Sequence, residues 1–186
     1  MRNLIFAIVL ILGAVFVSGC VSSTNSARLV DVCNYLPTQN DLTSEWEAGD
    51  PCQPSAYITV PPNNANRRTG YTISKIEGLP VEMSIYRFPT PENAISEMDS
   101  AVNPLKQKIQ EGTLSPSELS EIPTTEISAN CYAIYRKFST ESELTQYVCT
   151  KGNIYFQVGA RISTARVMDT QEEAKYITNI IATKIE

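Results

Sequence analysis

The apolar residues of this 186-residue chain are arranged in three different ways. They first form one unbroken run, "LIFAIVLILGAVFV", from Leu4 to Val17. From Leu29 to Tyr57 they are sparse and aperiodic, which predicts an irregular segment anchored to a core by Leu36 and Trp46, the only tryptophan. The stretch "PPNNANRR" (61–68) reads as a loop by composition. Beyond it, periodicity takes over. "TGYTISKIEG" (69–78) and "PVEMSIYRF" (80–88) predict a hairpin closed at Glu77-Gly78, in which Val81, Met83 and Ile85 alternate with Glu82, Ser84 and Tyr86. Thr90-Pro91 is an N-cap followed by a first-turn proline. The helix it opens carries Ala94, Ile95, Met98, Ala101, Val102, Leu105 and Ile109 on one stripe. Pro104 lies inside that pattern and predicts a kink, or two short helices with Asn103 capping the second. "SPSE" (115–118) has the form of a capping box and predicts a brief helical turn.

Three strands follow. "CYAIYRKF" (131–138) and "ELTQYVCT" (143–150) predict a hairpin, and Lys151-Gly152-Asn153 turns the chain into "IYFQVGARI" (154–162). In the last, Ile154, Phe156, Val158 and Ala160 take one face; Tyr155, Gln157, Gly159 and Arg161 take the other. Thr170 with Glu173 suggests a capping box, and Ala174, Ile177, Ile181 and Ile185 form the stripe of a closing helix. The order ββ-α-βββ-α predicts an α+β fold: one antiparallel sheet with two main helices on one or both faces. That order, with "YRFPTPENA" between strand and helix, is similar over residues 70–186 to the PsbP and Mog1-like α/β/α sandwich domains and to prokaryotic lipoproteins of unassigned role. The resemblance bears on fold only.

The first apolar run is about 20 Å long as a helix, short of the ~30 Å hydrocarbon core of a bilayer. With Arg2 before it and small residues after it, it has the makeup of an export signal. Val17-Ser18-Gly19-Cys20 resembles the lipobox of prokaryotic lipoproteins. The resemblance implies a signal peptide over 1–19, cleaved before Cys20, and a covalent diacylglycerol on the Cys20 thiol. It also implies a cell-membrane location on the extracytoplasmic face, with the lipid bilayer as partner. An ordinary secretory peptide cut nearby, or a leader kept as an uncleaved anchor, are the alternatives. The polar residues after Cys20, "VSSTNSAR", extend it into a tether over 20–28, leaving a single domain at 29–186.

Fifteen basic residues stand against 20 acidic ones, and no basic run exceeds Arg67-Arg68, so nucleic acid is not expected as a partner. The same balance argues against adhesion to anionic lipid and for a covalent membrane link. Besides Cys20 there are four cysteines, and an even number in an exported chain predicts disulfides. The local pairing Cys33–Cys52 and Cys131–Cys149 is expected, the second because a symmetric hairpin sets its ends opposite each other. Neither Cys-x-x-Cys spacing nor histidine is present, so no metal is expected.

The absence of histidine excludes Ser-His-Asp and Cys-His catalysis, and no Gly-rich phosphate loop, GxSxG or SxxK is present. Glu118 with Glu121, and Glu172 with Glu173, read as solvated helix charges. The suggestive cluster is aromatic and basic. If the last three strands are neighbours, Tyr135, Tyr147 and Tyr155 approach one another beside Arg136, Lys137 and Arg161, and form either a binding surface or sheet-stabilising cross-strand pairs. The expectation is a non-catalytic binding or accessory domain of the cell envelope, with an envelope protein as possible partner and no cofactor beyond the lipid. A carboxylate- or tyrosine-dependent envelope enzyme and a scaffolding lipoprotein without a small ligand are the alternatives.

Overall fold

The computed structural model describes residues 32–52, 57–60, 65–75, 80–113, 115, 118–140, 142–162 and 169–186, with backbone only at 57–60, 65–71 and 75. The leader, Cys20, the tether and the Glu77-Gly78 turn lie outside these residues.

The strands are β1 (Trp46–Glu47), β2 (Tyr57–Val60), β3 (Ala65–Lys75), β4 (Pro80–Arg87), β5 (Leu119–Ile122), β6 (Asn130–Ser139), β7 (Ser142–Lys151) and β8 (Ile154–Ile162). Among the described residues they form one antiparallel sheet, ordered β1-β3-β4-β8-β7-β6-β5, with β2 also paired to β3. Helices α1 (Pro91–Gln110) and α2 (Thr170–Lys184) pack on opposite faces, giving three layers. The fold is α+β, as the pattern predicts, but among the described residues it has four strands before α1 and an additional strand, β5, between α1 and β6. Residues 65–68, read as loop, belong to β3. Their backbone is laddered to β2 on one side and β4 on the other, which overrides a polar composition.

The pleat divides the core. Val81, Met83 and Ile85 of β4, Ile154, Phe156, Val158 and Ala160 of β8, and Tyr147 of β7 meet Ala174, Ile177, Ile181 and Ala182 of α2. Leu36 and Trp46 join that cluster at 0% and 2% exposure, so the irregular N-terminal segment is an integral part of the core. Trp46 stacks on Tyr176 of α2 with ring centroids 6.2 Å apart. On the other face, Ala94, Met98 and Val102 of α1 cover Tyr155, Val148, Tyr132 and Ile134.

Local chemistry explains the helix ends. The Thr90 hydroxyl accepts from the Asn93 amide at 3.3 Å, and Gly112, at φ 61°, closes α1. There Gly112 N–H donates to the Ile109 carbonyl and Thr113 N–H to that of Lys108, a Schellman pair. Pro104 does not split α1, which runs unbroken from Pro91 to Gln110. It and Ser100, whose carbonyl it leaves without a donor, are both exposed, so water can serve that carbonyl. The N-cap of α2 is Asp169, accepting from the Gln171 and Glu172 amides, and not Thr170. Thr170 is buried, and its hydroxyl is occupied by Thr145 at 2.9 Å and Glu143 at 3.1 Å. Ser115 and Glu118 do form a capping turn, the carboxylate accepting from the Ser115 amide and hydroxyl. That turn leads directly into β5.

Two disulfides are present, Cys33–Cys52 with Cα atoms 5.2 Å apart and Cys131–Cys149 at 4.1 Å. Cys131 and Cys149 are directly opposed in the β6–β7 register, as the symmetric hairpin requires. Lys184 ties the chain's C-terminal helix to the first loop, donating to the Leu36 carbonyl at 2.9 Å and to Asp41 at 2.7 Å.

Candidate functional site

On the α1 face, strand pairing sets side chains in rows that cross the sheet. One row runs Glu82–Gly159–Gln146–Ile134 and the next Ser84–Gln157–Val148–Tyr132; Arg161, Leu144 and Arg136 form a third. Helix α1 covers the apolar parts of these rows. What it leaves open is a groove of about 580 Å³ over β4, β8 and β7, lined by Glu82, Ser84, Gln146, Gln157 and Arg161 around Gly159, with Pro80 and Leu144 at its margin. The volume lies within the range of small-molecule sites, whereas the lining is more polar than most.

Gly159 bears no side chain, which leaves the floor open between its strand neighbours Glu82 and Gln146. The amides form a relay in which Gln146 Nε2 donates to Gln157 Oε1 at 3.4 Å and Gln157 Nε2 to the Tyr155 hydroxyl. Glu82 and Arg161 are both exposed, and among the described residues neither forms an ion pair. Arg161 instead lies over the Phe138 ring, 5.6 Å from its centroid, and Arg136 lies over the same ring at 4.5 Å. Phe138 is 46% exposed and serves as a platform that holds two guanidinium groups together at one end of the groove.

The tyrosine cluster expected from the sequence does not form. Tyr135 and Tyr147 point to the α2 face and Tyr155 to the α1 face, because Tyr155 pairs with Thr150 in the β7–β8 register. Tyr147 is 1% exposed, and burial raises its hydroxyl pKa. Tyr135 donates to Glu143 at 2.6 Å, and that bond, with burial, pushes its pKa up to about 12. Tyr155 is buried against Tyr86 and Phe88, with centroids 5.3 Å and 6.4 Å away. Of the predicted binding residues only Arg136 and Arg161 come together. Lys137 sits opposite Glu143, one position out of phase with them.

The two carboxylate pairs play structural parts or face solvent. Glu118 is held below the ordinary carboxylate range by the Ser115 hydroxyl and amide. Glu121 accepts from the Tyr132 hydroxyl at 2.8 Å, and burial and that bond raise the tyrosine. Among the described residues no three metal-ligating side chains gather, and no helix is long and apolar enough to cross a membrane.

The groove residues missed by the sequence reading are Glu82, Ser84, Gln146 and Gln157. A signal was available for Glu82, Ser84 and Gln157, polar residues that alternate with Val81, Met83 and Ile85 on β4 and with Phe156 and Val158 on β8, but not for Gln146, whose strand carries Glu143 and Thr145 at the other parity.

The architecture is thus that of an α/β/α sandwich on an antiparallel sheet with a polar groove beside one helix. No family model matches the chain, and no curated protein sequence matches it. Among solved structures it is similar to the extracellular domain of PknH from Mycobacterium tuberculosis, with 11% identity and a TM-score of 0.50. The match covers 83% of this chain and 94% of that one. At that identity the likeness is one of fold.

Proposed function

We propose that this chain is a membrane-tethered, extracytoplasmic lipoprotein whose domain is a non-catalytic binding module using the groove on the α1 face. The observation that carries the reading is the leader ending in Val17-Ser18-Gly19-Cys20. Two features support it. The other four cysteines are joined in two disulfides, bonds at home in an oxidising compartment, which leaves Cys20 as the remaining thiol for acylation. The fold is one that a known extracellular domain also adopts. Two acyl chains on Cys20 give stable anchoring where one would not. The groove supplies recognition chemistry: two opposite charges, two amides and a hydroxyl around an open floor.

The test is to express the full chain and Cys20→Ala in a prokaryotic host that processes lipoproteins. Membrane fractions and intact masses, reduced and unreduced, are then compared. Wild type should pellet with membranes, lack residues 1–19, carry a diacylglycerol mass and gain four hydrogens on reduction. Cys20→Ala should lose the lipid mass and the cleavage before residue 20. A wild-type chain that keeps Met1, carries no lipid mass and titrates five thiols would overturn the reading.

A further inference from the structure

We propose that the groove's ligand is a zwitterion of short-peptide type, about 10 Å between its charged ends, with its carboxylate on Arg161 and its ammonium on Glu82. This rests on the reading of the groove as the binding site. The argument begins with charge. Glu82 on β4 and Arg161 on β8 are near neighbours in the sheet: Glu82 pairs with Gly159, and Arg161 is two residues along the same strand. Diagonal neighbours of this kind lie within reach of long side chains. They nevertheless form no ion pair, because Arg161 leans away across β7 onto the Phe138 platform, where Arg136 also lies. The groove therefore has a negative end over β4 and a positive end over β7, with the Phe138 platform of β6 just beyond it.

Two strand spacings separate those ends, or about 10 Å. An extended tripeptide spans about 10 Å from its terminal ammonium to its terminal carboxylate. Between the ends, Ser84 and the Gln146–Gln157 relay offer donors and acceptors to peptide groups. The groove floor is made of interior strands whose backbone is paired on both sides, so strand addition is unavailable and side chains must do the reading. A dianion or a phosphate fits poorly, since Glu82 would repel it.

The test uses the full chain in detergent and follows binding by calorimetry and amide chemical shifts. The probes are triglycine, N-acetyl-triglycine, triglycine amide and, as an acidic carbohydrate, an oligogalacturonate. Triglycine should bind with a dissociation constant on the order of 1 mM. Each cap should weaken it about tenfold, the loss expected for one charged hydrogen-bonding group. In Glu82→Gln the penalty for the acetyl cap should vanish, and in Arg161→Ala that for the amide cap; both positions are exposed, so the folded state should survive. Equal binding of capped and uncapped peptides overturns the zwitterion assignment. If only the oligogalacturonate binds, and Arg161→Ala abolishes it, the ligand class is wrong while the groove remains the binding site. If no probe shifts any groove resonance, the zwitterion assignment falls, and the membrane anchor, tested by mass, stands or falls separately.

Discussion

Replacing Lys184 by methionine keeps the aliphatic stem and removes the charge, and with it the tie between α2 and the first loop. The ammonium donates to the Leu36 carbonyl at 2.9 Å and to Asp41 Oδ2 at 2.7 Å. Asp41 Oδ2 also accepts from the Thr38 amide at 2.7 Å and hydroxyl at 2.8 Å, so one carboxylate closes the 3-10 turn Gln39–Asp41 and receives the lysine. A hydrogen bond to a charged group is worth about 1.5–3 kcal/mol. The two side chains are 25% and 29% exposed, so solvent screens the pair, and the combined loss for Lys184→Met is set at about 2 kcal/mol. For a domain of this size that lowers Tm by about 4–8 °C. The pair has a pH signature. Burial pushes the Asp41 pKa up, but the Lys184 and Thr38 hydrogen bonds together bring it below its unfolded value of 3.8. A depressed folded pKa means that the stabilisation is fully present above pH ~4 and is lost as pH falls through the lower, folded value. The assay is a double-mutant cycle of Lys184→Met and Asp41→Asn by denaturant unfolding at pH 7 and at pH 2, disulfides intact. The coupling should be about 1 kcal/mol at pH 7 and close to zero at pH 2. A coupling that does not change with pH would refute the assignment, because the Leu36 carbonyl bond has no such dependence.

Three further outcomes follow from the structure. Removing the hairpin disulfide by Cys131→Ala with Cys149→Ala frees an 18-residue separation and should lower stability by about 3 kcal/mol, read from the denaturant midpoint; a loss under about 1 kcal/mol contradicts the entropic account. Ultraviolet titration should show one tyrosine ionising near 12, and Glu143→Gln should bring it down toward 10. Because the folded pKa is the higher one, the Glu143 contribution to stability is complete below pH ~10 and declines as pH rises to 12. Pro104→Ala should stabilise the protein by about 1–3 kcal/mol, since an exposed helix-interior proline gives way to the best helix former; no gain would mean that the backbone around Ser100 is already adapted to it.

The meander β6–β7–β8 and helix α2 were legible because their alternation and 3.6-residue spacing are strong and because two opposed cysteines mark the register. Strand β3 was not legible over residues 65–68, where Asn and Arg conceal a segment fixed by backbone ladders on both sides. The cap at Asp169 was hidden by Thr170, a better-looking capping residue whose hydroxyl is used in the core. The tyrosines failed for a different reason. Adjacency of strands is not adjacency of side chains, and the β7–β8 register sends Tyr155 to the face away from Tyr147. Arg136 and Arg161 share a parity and meet as expected, on a phenylalanine that no pattern in the chain singles out. The groove itself depends on how much of the sheet α1 covers, a tertiary property with no local signature.

The two disulfides lie on either side of the α1–β5 connection, and neither crosses it. The N-terminal part sends α1 onto β7 and β8, while the C-terminal part returns α2 against Leu36 and Trp46. Along the β4–β8 seam, Phe88 and Asn153 exchange hydrogen bonds of 2.8 and 2.9 Å. The molecule is therefore a clasp of two interlocking pieces, each with its own rivet. Severing the link near Gly112 leaves fragments with no covalent bond between them, yet each lacks a lid that only the other can provide. Such fragments should reassociate when mixed, and at high concentration the intact chain has a ready route to exchanging halves with a neighbour.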